Sequence, residues 1–116
     1  MSRKNFDKIW EPKNVFLYLE KFFNFYKCKK IYLVGSRGKT DDWNDLDGKD
    51  WDVLIEHDEI IRNPNSLVHK KYHVDILYMG DKKRIERIRQ HGYNGCKGGI
   101  EIFPNTPEKY KQFLIK

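Results

Sequence analysis

Three aspartates in this chain stand in or beside apolar runs. Asp50 and Asp52 alternate with Trp51 and Val53, and Asp75 interrupts Val74, Ile76 and Leu77. A strand's side-chain period of two puts Asp50 and Asp52 on one face. A carboxylate in such a strand costs free energy unless something compensates it. Three of them converging on one sheet face repel one another, and a bound divalent cation removes that repulsion. Hard oxygen ligands suit Mg²⁺, with Mn²⁺ as the alternative ion, so Asp50, Asp52 and Asp75 are the expected metal ligands.

A second signal is Gly35-Ser36, directly after the apolar run Ile31–Val34. Glycine lets a ligand approach the backbone closely, and Ser36 adds a hydroxyl and an amide N–H. If a helix begins there, its free N–H groups form an anion site. Arg37 and Lys39 place positive charge beside it. A phosphate cradle on one side and a metal cluster on the other point to a nucleoside triphosphate held through Mg²⁺. The expected nucleotide contacts are Gly35, Ser36, Arg37 and Lys39.

Alternating and helical patterns indicate the elements that must position these groups. Pro12 suits the first turn of a helix whose apolar residues run from Val15 to Phe25. Ile31–Val34, Trp51–Ile55 and Tyr72–Met79 read as strands, with a turn at Asn63–Ser66. Lys82–Gln90 reads as a helix with Ile85 and Ile88 on one face, and Ile100–Phe103 as a short fourth strand. Thr106 and Pro107 open a last helix that turns Tyr110, Phe113 and Leu114 inward. Gly92–Gly99 holds four glycines in eight residues and reads as a connector, with lining the site as the alternative. The sum is one small α/β (α+β) domain: a mixed sheet with helices packed on one face.

Composition narrows the class. The chain has 116 residues, enough for one domain, and its 15% aromatic content argues against disorder. No apolar run approaches a membrane span, and Met1–Lys8 lacks the apolar centre of a signal peptide. A soluble, cytoplasmic protein without membrane partners is expected. Cys28 and Cys96 form no CxxC pair, so two free thiols are expected. The net charge is +6, but Gly35 to Asp52 carries six aspartates against Arg37, Lys39 and Lys49. That segment is therefore acidic on a basic body, which suits a site that holds a cation and attracts a polyanion. The remaining acids, Asp41, Asp42, Asp45 and Asp47, do not make a calcium loop: with Gly48 at its sixth position the loop would start at Trp43 and end at Leu54.

The order Ile31-Tyr32-Leu33-Val34-Gly35-Ser36, a thirteen-residue spacer, Asp50-Trp51-Asp52-Val53, then Val74-Asp75-Ile76 resembles the nucleotidyltransferase superfamily of DNA polymerase beta. The likeness spans Ile31 to Met79, with the spacer at the long end of the family's range and Lys49 where the family often has Ser or Thr. The single small domain with Gly-Ser-Arg is most similar to the minimal nucleotidyltransferase group. The resemblance implies a palm-like fold over residues 1–116. It implies that Asp50 and Asp52 hold two Mg²⁺ ions, while Asp75 binds the ion that activates the acceptor hydroxyl or helps to deprotonate that hydroxyl. It also implies that Gly35 and Ser36 contact the triphosphate, with ATP the expected one. In size and motif the chain is similar to the antitoxin half of a toxin–antitoxin pair whose enzyme adenylylates the toxin. The implied acceptor is thus a partner protein. The alternatives are a nucleic acid end, a small molecule, or a nucleotide- or partner-binding module without turnover. A small domain of this kind often needs a second copy or a different partner chain.

Overall fold

The computed structural model describes residues 11–35, 50–93 and 95–114. Helix α1 (Pro12–Phe25) starts with Pro12 in its first turn, where the missing N–H is no loss. Val15, Phe16, Leu19 and Phe22 recur at helical spacing and are buried. Its end is a Schellman motif. The Cys28 amide donates to the Phe23 carbonyl and the Lys27 amide to that of Asn24, at 2.9 and 3.3 Å. Lys27 sits at the left-handed position with φ +55°, where glycine is usual.

The chain then enters β1 (Lys30–Val34), β2 (Trp51–Glu56), β3 (Val74–Gly80), helix α2 (Lys82–His91) and β4 (Ile100–Phe103). The strands form one sheet in the order β3-β2-β1-β4. β1 runs antiparallel to β2 and β4, while β2 and β3 are parallel. A parallel pair needs a crossover, and the segment between β2 and β3 supplies it with 3₁₀ turns at Pro64–Leu67 and Lys70–Tyr72. The small mixed α/β domain expected from the sequence is present.

Helices, however, cover both faces of the sheet, not one. Trp51, Val53 and Ile55 of β2 join a core with α1 and Tyr110 of the C-terminal 3₁₀ segment Glu108–Leu114. Phe16 is central to it, with its ring centroid 5.8 Å from Trp51 and 5.4 Å from Tyr110. On the other face Leu54 packs with Tyr32, Val34, Ile85 and Ile88, so α2 closes that side. The reason lies in β1 and β2, which carry apolar residues at consecutive positions and so bury both faces.

Other differences are local. β3 begins at Val74, not Tyr72, because His73 adopts a left-handed conformation at φ +56°. The turn at Asn63–Ser66 is part of a 3₁₀ turn, and the last helix is 3₁₀, not α. Cys28 and Cys96 are both free and buried. Among the described residues, no helix is long and apolar enough to cross a membrane.

Candidate functional site

Topology gathers three signals that are far apart in sequence. Because β1 is antiparallel to β2, its C-terminal end lies beside the start of β2. Because β3 is parallel to β2, its start lies there too. One row across the sheet therefore reads Val34, Asp52, Asp75. Asp52 and Asp75 face each other in register on the face that α2 covers further along, and both are half-buried. Directly opposed like charges destabilise a strand pair. A cation between them would reverse the sign of that term.

Gly35 closes the row. It has φ +71°, and a Cβ there would lie 2.7 Å from Oδ2 of Asp52 and 3.3 Å from Sγ of Cys96. Only glycine fits this approach without displacing the carboxylate. The missing side chain and the paired acids are features that a metal-bound phosphate group would fit. Ser36, Arg37 and Lys39, with the other spacer residues up to Lys49, lie outside the described residues.

Asp50 sits one residue before β2 and is exposed, with Oδ1 3.7 Å from Nδ1 of His73. Among the described residues, no group of three or more His, Cys, Asp or Glu side chains is arranged as a metal cage. The fold thus brings Asp52 and Asp75 together and leaves the Asp50 carboxylate turned toward His73.

Sequence reading missed Asn65. Its side-chain amide donates to Oδ1 of Asp75 at 2.9 Å and to the Ile76 carbonyl at 3.3 Å, and its Oδ1 accepts the Ile76 amide at 2.7 Å. An amide side chain here mimics a neighbouring strand along the open edge of β3 and fixes one oxygen of Asp75. The signal available was the Asn-Pro-Asn-Ser turn, which gives a bend but not its target.

The glycine-rich segment, expected as a connector with lining the site as the alternative, brings Cys96 close to Asp52. Tyr93 and Cys96 exchange backbone bonds at 2.9 Å, and Sγ of Cys96 lies 3.8 Å from Oδ2 of Asp52. Tyr93 and Asn65 flank a cleft of about 390 Å³ that ends on Asp75. A second cleft of about 350 Å³ lies on the other side of Asp75, between Asp50, Lys70 and His73. Asp75 therefore lines two openings, one shared with Asp50, Lys70 and His73 and one with Asn65, Ser66 and Tyr93. Comparison with protein-family models, with curated proteins and with solved structures finds no match to this chain.

Proposed function

We propose that this chain is a Mg²⁺-dependent nucleotidyltransferase that moves a nucleoside monophosphate, with ATP the expected donor, onto an acceptor hydroxyl. The observation that carries this reading is the pairing of Asp52 with Asp75 beside the bare backbone of Gly35. Asp52 and Asp75 are the residues that would hold Mg²⁺, or Mn²⁺, with Asp50 at the mouth of the same row. Bound there, the ion would neutralise the carboxylates and draw charge from the triphosphate.

The protein's own contribution is positional. Gly35 offers room for phosphate against the backbone, and Ser36, Arg37 and Lys39 follow it in sequence to meet the leaving pyrophosphate. The acceptor oxygen forms a bond to the α-phosphorus as the bond to pyrophosphate breaks. Asp75 either holds the ion that would acidify the acceptor hydroxyl, the proton then leaving to solvent, or takes that proton itself on Oδ2, with Oδ1 accepting from Asn65. Holding the reactants in line this way lowers the barrier chiefly through orientation. The acceptor is a partner protein or a nucleic acid end.

A second reading, nucleotide or partner binding without turnover, is favoured by one fact: Asp50 is exposed, lies before β2 with its carboxylate 3.7 Å from the His73 ring, and is not part of the in-register Asp52–Asp75 pair. Transfer of label from α-³²P nucleoside triphosphates separates the two. The proposal expects Mg²⁺-dependent labelling of an acceptor by wild type and none by Asp52→Ala or Asp75→Ala. Equal labelling by wild type and both variants would refute it.

A further inference from the structure

Helix α2 turns Ile85 and Ile88 to the sheet and leaves Lys83, Arg84 and Arg87 exposed. At spacings of one, three and four residues, the three cations share one flank of the helix. Among the described residues none of them forms an ion pair. Beside them Ile60 is 64% exposed, and the Tyr78 ring lies 5.8 Å from the Arg84 guanidinium. These side chains line a depression of about 390 Å³.

Asp81 is the acid in this depression, and its carboxylate is engaged. It accepts the Tyr78 hydroxyl and the Arg84 amide, and so caps α2. Against this one acid stand three cations, Lys83, Arg84 and Arg87. Tyr78 follows Leu77 in β3, and Leu77 lines the cleft that runs between Asn65 and Tyr93 to Asp75. The two depressions share no lining residue, but they meet the sheet's outer strand at the consecutive residues Tyr78 and Leu77. The first is cationic, and the second ends on the candidate site.

We propose that this groove binds single-stranded nucleic acid, with phosphates on Lys83, Arg84 and Arg87 and bases over Ile60 and Tyr78. A free phosphate would use the cations and leave the apolar surfaces wet. A duplex would present phosphates but keep its bases stacked inside. An acidic peptide would satisfy the charges but bring no flat π faces for Tyr78, Arg84 and the exposed Tyr93. Single strands supply both charge and faces. The binding stands apart from catalysis. Only the use of a bound strand's terminal hydroxyl as acceptor at Asp75 rests on the function proposed above.

The test is fluorescence anisotropy with labelled U20, dT20, a 20-base-pair duplex and an oligoglutamate, at low and moderate salt. Wild type binds U20, dT20 or both more tightly than the duplex and the oligoglutamate; the two single strands together report whether the sugar matters. Three phosphate contacts give a salt slope of about −2, so affinity falls about 20-fold for a fourfold rise in salt. Lys83→Gln/Arg84→Gln/Arg87→Gln lowers affinity at least tenfold and flattens the slope, with ATP–Mg²⁺ binding unchanged. Glutamine keeps helix propensity; Lys83→Glu, a single exposed change, gives the same direction if the triple variant does not fold. Failure to bind either single strand at low salt, wild-type affinity in the variants, or equal binding of the oligoglutamate or duplex would overturn the proposal. Loss of ATP–Mg²⁺ binding with single-strand binding intact would instead refute the site at Asp52.

Discussion

Replacing Gly35 with alanine separates the site from the fold. A Cβ at this position meets Oδ2 of Asp52 at 2.7 Å, against the 3.4 Å of ordinary contact. The carboxylate is the far end of a side chain and not backbone, so it retreats by about 0.7 Å or more instead of breaking the sheet. The backbone term is separate. Alanine at φ +71° costs about 1–2 kcal/mol relative to glycine. For a domain of this size that lowers Tm by about 4–8 °C. Gly98→Ala is the control, because Gly98 has φ +77° and nothing lies within 4 Å of where its methyl would sit. Both variants should lose similar stability by thermal unfolding. Only Gly35→Ala should impair the site, since a displacement of this order at reacting groups costs about 10–100-fold in rate. Transfer kinetics and calorimetry with ATP–Mg²⁺ read that difference. Wild-type activity in Gly35→Ala, or equal loss in Gly98→Ala, would refute the claim that Gly35 exists to seat Asp52 beside a phosphate.

Asn65→Ala removes bonds to Ile76 and Asp75 from an exposed side chain, so urea unfolding should show a loss of only about 1 kcal/mol while ATP–Mg²⁺ binding weakens by more than that change in stability. Lys27→Gly relieves a left-handed lysine at the end of α1, and thermal unfolding should show a gain of about 1 kcal/mol. Burial pushes the Cys28 thiol from 9.0 up to about 11. A raised folded value favours the protonated form: that contribution is complete below 9.0 and lost as pH rises toward about 11, because the unfolded chain ionises first. Iodoacetamide should therefore modify Cys28 about 100-fold more slowly in the native protein than in denaturant at about pH 8, by mass spectrometry. The Tyr78 hydroxyl and the Arg84 amide hold the Asp81 carboxylate below its usual range, so its support for α2 persists above 3.8 and disappears as pH falls through the lowered value. Asp81→Asn should flatten that part of the acid-unfolding curve followed by circular dichroism.

Much of the fold was legible because the apolar patterns are strong. Pro12 and the run to Phe25 set α1, Ile100–Phe103 coincides with β4, and Lys82–Gln90 is within one residue of α2. The misreadings came from contacts that a linear pattern does not encode. Tyr72 looks like strand but stacks on Tyr18 at 4.1 Å, and the chain needs a left-handed turn at His73 before β3 can start. Asp50 fits period two with Asp52, yet β2 begins at Trp51, whose amide bonds to the His73 carbonyl at 2.7 Å. Two-sided burial was written in the consecutive apolar residues of β1, but deciding that α2 would cover the second face required the sheet order. For the site, Gly35, Asp52 and Asp75 were visible as residue types in strand context. Asn65 and Cys96 were not, because their roles depend on a loop crossing an edge and a glycine-rich segment folding back over β2.

The central claim is that Asp52 and Asp75 form a cation site that seats a triphosphate against Gly35. Calorimetry of ATP binding with and without Mg²⁺, on wild type and on Asp52→Asn/Asp75→Asn, tests it most directly. Wild type is expected to bind ATP only with Mg²⁺ and the double variant not at all, with circular dichroism checking that the variant is folded. Wild-type binding by the double variant, or binding by wild type that is indifferent to Mg²⁺, would contradict it.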